Sequence, residues 1–257
     1  MKKLFLNVAL LAMIAIPNFA QDTPTNAGAD HSTNPEKYYL LNGDVVNSYL
    51  LLPPPPADTT AHYAYDKEMY EWGKSMRDTE RGKKAVQDAN LNEGWMDRDF
   101  SEAFGYALTP ENAPEICKLL QNMKEDAGDI ATRSAKNYYM RKRPFMVYNE
   151  PSATPGDEAD LSKNGSYPSG HTSIGWATAL VLSEINPARQ QEIMQRGYDF
   201  GESRVICGAH YQSDVDAGRL AASIAYAKLH TNDRFLAQMK KARKEFLRKT
   251  KKQKLSN

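Results

Sequence analysis

The sequence predicts an all-α fold. Apolar residues recur at spacings of three and four residues in several stretches, and no convincing run of alternating apolar and polar residues indicates a β-strand. Prolines at first helical turns and Asn or Thr at helix caps separate these stretches. The length of 257 residues, of which 41% are hydrophobic and 25% charged, suits one globular domain with short appendages.

Residues 1–20 have the layout of a secretory signal peptide. Lys2 and Lys3 precede the apolar run Leu4–Ile16, and Ala20 offers a small residue for cleavage. An N-terminal membrane anchor is the alternative, although the run is shorter than the roughly 20 residues that a spanning helix needs. We therefore expect an exported protein, periplasmic or secreted, without a membrane span.

Residues 21–60 form an irregular segment that includes the polyproline run Pro53–Pro56. We expect an extended N-terminal arm that wraps the body or a neighbouring subunit, and a disordered leader is the alternative. The folded domain is predicted to span residues 61–250. The basic tail that follows, residues 251–257, is typical of a solvated chain end rather than of a segment that binds nucleic acid or lipid. A net charge of only +1 also argues against a nucleic-acid-binding protein.

Helical spacing begins near Thr60 and continues to Ala89, with Met69, Trp72 and Met76 on one face that we assign to the core. Residues 149–168, rich in Pro, Ser, Asp and Gly, are predicted to form a loop. Further helices are predicted from the Thr109-Pro110 start through Met123, from Asp129 to Lys142, from Gly170 to Ile185, after Asn186-Pro187, from Tyr211 to Leu229, and after a cap at Thr231 or Asn232.

The chain contains two cysteines, Cys117 and Cys207. In an exported protein an even number of cysteines is consistent with a disulfide, and closing a loop of this length would stabilise the fold by about 4–5 kcal/mol in the chain-entropy model. Two buried free thiols are the alternative, and the sequence does not decide between them.

Two short segments contain residue types that suit a phosphate group. Lys136 and Arg143 are seven residues apart, which places them on one face if a single helix contains both. Ser169 and Gly170 lie where a loop enters a helix, so free N–H groups and a hydroxyl can bind an anion there. His171 follows inside the same helix.

A third segment contains Arg204, His210 and Asp214. At a spacing of four residues, a helix would place the Asp214 carboxylate beside the His210 ring, where it would select one tautomer and leave the other nitrogen free to attack. The three segments together suit phosphoryl transfer, in which positioning and electrostatic donors supply most of the catalysis. No H-E-x-x-H, C-x-x-C or dense carboxylate group accompanies the histidines, so we expect neither a metal nor another cofactor.

These segments resemble the signature of a known family, the type 2 phosphatidic acid phosphatase (PAP2) superfamily. The matching residues are Lys136-x6-Arg143-Pro144, Pro168-Ser169-Gly170-His171 and Ser203-Arg204-x5-His210-x3-Asp214. The flanking stretches Gly128–Lys136 and Cys207–His210 are similar to the bacterial class A non-specific acid phosphatases of that superfamily. The resemblance implies a single-domain helical bundle, a homo-oligomer and an acid phosphatase that hydrolyses small phosphate monoesters of broad range without a metal.

The resemblance also implies a role for each residue of the site. His210 would attack phosphorus and form a phosphohistidine, Asp214 would orient it, and His171 would protonate the leaving alcohol and then activate water. The phosphate-binding residues would be Lys136, Arg143, Ser169, Gly170 and Arg204. Because three cations surround His171, we expect its pKa to lie below the ordinary value and activity to fall as the pH rises above neutrality.

Five other functions are alternatives to this interpretation. A nucleotide-preferring apyrase or a phosphotransferase would use the same signature, and both stay open. A lipid phosphatase of the superfamily would need membrane spans that the sequence lacks, and a vanadate-dependent haloperoxidase is usually a much longer chain. A non-catalytic phosphate-binding protein would have no need of both histidines and Asp214.

Overall fold

The computed structural model describes Asn34, residues 36–41, Asp44 and residues 47–256. The predicted signal peptide and the start of the predicted arm lie outside the described residues. Within the described part the chain forms helices and no β-strand, which confirms the all-α prediction. The α-helices are α1 (Ser48–Leu51), α2 (Ala61–Met76), α3 (Glu80–Asp88), α4 (Trp95–Phe104), α5 (Pro114–Glu125), α6 (Arg133–Tyr139), α7 (Pro144–Tyr148), α8 (Glu158–Leu161), α9 (Gly170–Ile185), α10 (Gln190–Ile206), α11 (Gln212–Leu229) and α12 (Asp233–Ser256).

Helix α9 is the central helix of the bundle. Eleven of its 16 residues are buried, and α10 and α11 pack along it. Gly175 allows α10 to approach closely, because a Cβ atom at this position would lie 2.3 Å from the Phe200 ring. Among the described residues, no helix is both long and apolar enough to cross a bilayer. The tight packing of α9 holds its N-terminus, where the candidate site lies, in one position.

The helix predicted over Thr60–Ala89 is two helices in the structure, α2 and α3. The Thr79 hydroxyl accepts a hydrogen bond from the Gly82 amide (3.2 Å) and so caps α3 as a separate helix. Helices α2 and α3 both pack against α10. Trp72 and Met76 pack against the small cluster of Ala85, Ile206, Cys207 and Ala209, in agreement with their assignment to the core.

The helix predicted over Asp129–Lys142 is also shorter than expected. A π-helical turn, Asp126–Ile130, follows α5, and α6 ends at Tyr139 because Met140 is left-handed with a φ of 42°. Arg143 lies outside α6 and is the N-cap of α7. The sequence analysis did not predict α7. The expectation that Lys136 and Arg143 share one helix face is therefore wrong.

Helix α4 was not predicted. It is bounded by Gly94 and Gly105, whose φ angles of 81° and 75° are accessible to glycine at little cost. Its buried residues Trp95, Phe100 and Phe104 contribute to the main core. Met96, Phe100 and Phe104 do recur at helical spacing, so the sequence carries a signal for α4 that the prediction did not use.

The described residues of the predicted N-terminal arm pack against the helices. The Asp126 carboxylate accepts hydrogen bonds from the amides of Tyr39 (2.9 Å) and Leu40 (3.0 Å), and both residues are buried in the main core. Further along, the Tyr167 hydroxyl donates to the Pro53 carbonyl (2.5 Å). These segments of the arm therefore bury apolar surface against the domain.

The disulfide that the sequence left open is absent from the structure, and Cys117 and Cys207 are both buried free thiols. Cys117 belongs to the main core, whereas Cys207 lies in the small cluster beside Ala85, to whose carbonyl its thiol donates (3.4 Å). Burial raises the pKa of both thiols, that of Cys117 to about 11. The two sulfurs occupy different apolar clusters, which is the reason that they do not pair.

Candidate active site

The loop before α9 delivers Ser169 and Gly170 to the start of this helix, as the sequence predicted. Ser169 is the N-cap, and its oxygen accepts hydrogen bonds from the Thr172 amide (3.3 Å) and the Thr172 hydroxyl (2.9 Å). The Ser169 hydroxyl hydrogen is left for a further acceptor. A side chain at Gly170 would collide with the Gly128 carbonyl, 2.8 Å from a built Cβ, so glycine is needed for close backbone packing as well as for access to the helix start.

Arg143 is 1% exposed and extends from the start of α7 across the site. Its guanidinium donates to the Leu161 carbonyl (2.8 Å), the Asn164 side chain (2.6 Å) and the Ala209 carbonyl (3.1 Å). Its Nη1 also donates to Nε2 of His210 (2.9 Å). Burial and the nearby Arg204 lower the pKa of Arg143 to about 10, so the guanidinium stays charged at neutral pH.

Lys136 and Arg204 complete a group of three cations. The Lys136 ammonium donates to the Gly165 carbonyl (2.8 Å), and burial together with Arg143 lowers its pKa to about 7. Arg204 is 1% exposed, and its Nε and Nη1 atoms have no hydrogen-bond partner in the described part of the chain. Buried donors of this kind are rarely left unpaired in native proteins, so they indicate a place for an acceptor.

The three cations also lack carboxylate partners. No ion pair joins Lys136, Arg143 or Arg204 to an Asp or Glu among the described residues, whereas Asp129, which lines the same pocket, is paired with Arg133. Each cation lowers the pKa of another group in the site, so the three groups lie close enough to repel one another or a protonated His171. An uncompensated buried positive charge favours an anion.

His210 is 2% exposed and lies in the loop before α11, not inside the helix as the spacing suggested. Its Nε2 faces Arg143, and its Nδ1 lies 3.2 Å from the Ser166 hydroxyl and 3.5 Å from Oδ2 of Asp214. The pKa of His210 lies well below its ordinary value, mainly because the ring is buried and secondly because Arg143 is close. The ring is therefore neutral at neutral pH, with one nitrogen free to accept.

His171 is the second residue of α9. Its Nε2 lies 3.0 Å from the Ala89 carbonyl, which can only accept, so Nε2 carries the proton and Nδ1 is the nitrogen left for chemistry. Its pKa is well below the ordinary value, in the predicted direction. Burial is the larger cause, and the cation Arg204 comes second, whereas the sequence analysis attributed the shift to the cations alone.

Asp214 is fully buried and is the third residue of α11. Its Oδ2 accepts from the Tyr211 amide (2.9 Å) as part of a capping box, and its Oδ1 accepts from Nη1 of Arg141 (2.6 Å). Burial by itself would raise the pKa of Asp214, but the charge of Arg141 and the hydrogen bonds keep it below its ordinary value. Asp214 is therefore a carboxylate throughout the pH range of interest.

Sequence reasoning missed three residues that hold Asp214 and His210. Arg141 bridges Asp214 to Asp66 of α2, to which its Nη2 donates (2.8 Å), and Ser166 lies between Asp214 and His210. Asp66 is 1% exposed and accepts from the Ser213 amide (2.8 Å). A buried Asp far away in the sequence leaves no local signal, although Arg141 lies within the first signature segment and Ser166 two residues before the second.

The site opens into a cavity of about 400 Å³. It is lined by the site residues Lys136, Arg143, Gly170, His171 and His210. A second cavity of about 850 Å³ shares Leu91 and Lys124 with the first. Ser169, Arg204 and Asp214 are buried and are not among the residues that line the smaller cavity. Within the described ranges, no three His, Cys, Asp or Glu side chains are grouped to hold a metal ion.

Comparison with known proteins agrees with this geometry. Residues 127–235 match the PAP2 superfamily. The chain is 54% identical over 246 residues to a non-specific acid phosphatase of Providencia stuartii, covering 96% of this chain and 98% of that protein. It is 48% identical over 200 residues to a non-specific acid phosphatase of Salmonella typhimurium (78% and 80% covered), and 36% identical over 239 residues to an acid phosphatase of Zymomonas mobilis (93% and 88% covered).

An all-α domain with a cationic pocket, a buried His210 and a partly buried His171 is the arrangement expected of an enzyme that acts on phosphate. The chain belongs to the PAP2 superfamily and, within it, to the non-specific acid phosphatases. It is a phosphoric monoester hydrolase.

Proposed function

We propose that the protein hydrolyses phosphate monoesters of broad range through a phosphohistidine on His210, without a metal. The observation that carries the proposal is the group of three cations without carboxylate partners, two of them buried arginines, around two neutral histidines. Such a group can neutralise the charge that spreads over the phosphoryl oxygens in the transition state. In many phosphoryl-transfer enzymes a metal ion has this role.

In the first half of the reaction, Nε2 of His210 attacks phosphorus. Arg143, which donates to Nε2 in the free enzyme, moves its N–H to a phosphate oxygen and leaves the nitrogen lone pair free. The P–O bond to the leaving group breaks as the P–N bond forms. The protonated form of His171 gives its Nδ1 proton to the leaving oxygen.

In the second half, the same His171 nitrogen, now neutral, takes a proton from a water molecule. The water oxygen attacks phosphorus, the P–N bond breaks and inorganic phosphate leaves. Lys136, Arg204, the Ser169 hydroxyl and the Gly170 amide hold the phosphoryl oxygens through both steps. Orientation of the His210 ring depends on Asp214.

The two adjoining cavities support a broad substrate range. The smaller one, of about 400 Å³, is lined by Lys136 and Arg143 and is of a size for a phosphoryl group with part of its alcohol. The larger one, of about 850 Å³, has a mixed polar and apolar lining that includes Leu91, Met96 and Lys118. This lining can accept organic groups of different shape.

The central test is His210→Ala with His62→Ala as the control, since His62 is exposed on α2. We expect the His210 variant to lose about 10⁴-fold or more of kcat and to form no phosphoenzyme, while the control keeps both. The phosphoenzyme is measured by mixing with ³²P-labelled substrate and quenching in alkali, in which a P–N bond survives. Formation of a labelled enzyme by the His210 variant would reject the proposed nucleophile.

A substrate panel tests the range and the metal independence. Aryl phosphate, mononucleotides, ATP and a phospholipid are assayed with and without EDTA and in the presence of an acceptor alcohol. We expect turnover of several monoesters and no loss on chelation. A strong preference for ATP would identify an apyrase, transfer to the alcohol a phosphotransferase, and loss of activity with EDTA would contradict the metal-free reaction.

The organisation of the chain is part of the same proposal. Residues 1–20 act as a signal peptide for export to the periplasm or medium, residues 21–60 form an arm, residues 61–250 the phosphatase domain, and residues 251–257 a basic tail. Helix α12 extends into this tail to Ser256. The enzyme is expected to be a homo-oligomer, which sedimentation of the exported form would reveal, and N-terminal sequencing would locate the cleavage site.

A further inference from the structure

Ser166 occupies a position that the functional assignments leave unexplained. It is fully buried in the loop before α9, and its amide donates to the Arg141 carbonyl (2.9 Å). Its hydroxyl oxygen lies 2.5 Å from Oδ2 of Asp214 and 3.2 Å from Nδ1 of His210. The direct distance between those two atoms of Asp214 and His210 is longer, 3.5 Å.

The direction of these hydrogen bonds follows from the chemistry of the groups. Asp214 is ionised and can only accept, so the Ser166 hydroxyl donates to it. The Ser166 oxygen then accepts from His210, which places a proton on Nδ1. At the other end of the ring, Arg143 can only donate, and its N–H lies 2.9 Å from Nε2. Both ends of the imidazole therefore indicate the same tautomer, with the proton on Nδ1.

The Asp214 oxygen that lies nearest to His210, Oδ2, already accepts two other hydrogen bonds. Their donors are Ser166 and the Tyr211 amide (2.9 Å), and the other oxygen, Oδ1, accepts from Arg141 (2.6 Å). A direct bond from His210 would be the third to Oδ2, and its distance of 3.5 Å is longer than either of the two that this oxygen already accepts.

We infer that Ser166 is a positioning residue that links Asp214 to the nucleophile, through the chain Nδ1–H of His210 to the Ser166 hydroxyl to Oδ2 of Asp214. The inference rests on the proposed function, in which Nε2 of His210 is the attacking atom. As the P–N bond forms, positive charge develops on the imidazole, and its Nδ1–H bond to the Ser166 oxygen strengthens. Because the Ser166 hydroxyl donates to the Asp214 carboxylate, its oxygen becomes a stronger acceptor for Nδ1–H. No proton has to leave Nδ1.

The kinetic test compares Ser166→Ala with Ser162→Ala, a control whose exposed hydroxyl donates to the Glu158 carbonyl (2.7 Å) in the same loop. We expect Ser166→Ala to slow phosphoenzyme formation by about 10- to 100-fold, because the ring loses a hydrogen bond that strengthens as positive charge develops on it. KM should change by less than about twofold, because the phosphate-binding groups are untouched. The control should match the wild type in both quantities.

A spectroscopic test reads the tautomer directly. In ¹⁵N-histidine-labelled wild-type enzyme at pH 7, His210 should show a proton on Nδ1 and an unprotonated Nε2, and in Ser166→Ala the Nδ1 proton should shift upfield as it loses its acceptor. A wild-type ring protonated on Nε2 would overturn the inference, and this measurement is decisive even where the alanine variant does not fold. A folded Ser166→Ala variant with the wild-type rate and an unchanged Nδ1 signal would overturn it as well.

His210→Ala, measured in parallel, distinguishes a failure of the proposed nucleophile from a failure of the proposed role of Ser166. A phosphoenzyme in that variant would reject the proposed nucleophile and the inference with it. No phosphoenzyme in His210→Ala, together with a wild-type rate in Ser166→Ala, would reject the role of Ser166 alone.

Discussion

Arg141 lies between two buried carboxylates, and its replacement by methionine should destabilise the fold. Its Nη1 donates to Asp214 (2.6 Å) and its Nη2 to Asp66 (2.8 Å), and the side chain is 10% exposed. Arg141→Met leaves both carboxylates buried without their cation. Removal of one partner from a buried ion pair costs about 3–5 kcal/mol. For a chain of this length, that loss corresponds to a fall in Tm of roughly 6–20 °C at neutral pH.

The effect should depend on pH in a defined direction. In the wild type, Arg141 holds the pKa of Asp214 below its ordinary value, so the ionised carboxylate contributes stability above the unfolded pKa of about 3.9 and loses it as the pH falls below that value. Without Arg141, burial dominates and raises the pKa of Asp214. The folded variant then binds a proton that the unfolded chain lacks at neutral pH. The difference in Tm between wild type and variant should therefore be largest near about pH 8 and smaller at about pH 5.

Thermal unfolding at the two pH values measures this effect, with Arg243→Met as a matched control. Arg243 is paired with Glu184 (2.5 Å), but its side chain is 46% exposed, so its loss should cost less than about 1 kcal/mol. Equal Tm changes in the two variants, or a larger loss for Arg141→Met at pH 5 than at pH 8, would refute the reasoning.

Three further predictions follow from the site and the core. kcat/KM should be higher at pH 5 than at pH 8. The pKa of His171 lies well below its ordinary value, so the protonated acid is progressively lost as the pH rises above this pKa. A maximum of kcat/KM in alkali would contradict this role. Arg204→Met should weaken inhibition by inorganic phosphate about 10- to 100-fold, since hydrogen bonds to charged groups contribute about 1.5–3 kcal/mol. Tm should fall little, because the Nε and Nη1 donors have no protein partner among the described residues. Unchanged phosphate inhibition with a large fall in Tm would indicate a structural role. Dithiothreitol should leave Tm unchanged, because Cys117 and Cys207 are free thiols, and a lower Tm on reduction would contradict the structure.

The helical pattern predicted the framework of the site more reliably than its local geometry. The start of α9 at Gly170, with Ser169 as its cap, agrees with the sequence prediction, because capping is a local property of a few residues. Two arguments from helical spacing were wrong in their premise. Lys136 and Arg143 belong to different helices, and His210 precedes α11. The residues nevertheless converge, because Arg143 extends from the next helix to the His210 ring.

The sequence by itself determined the fold class and the chemical character of the site, since helical periodicity, caps and the residue types of the three signature segments are all encoded locally. Only the tertiary structure decided which groups surround each functional atom. Asp66 reaches Arg141 from α2, Ser166 lies between Asp214 and His210, and the cysteines are separated by their apolar clusters. The physical reason is that tautomer, charge and pKa depend on partners within a few ångströms, and these partners come from segments distant in the chain.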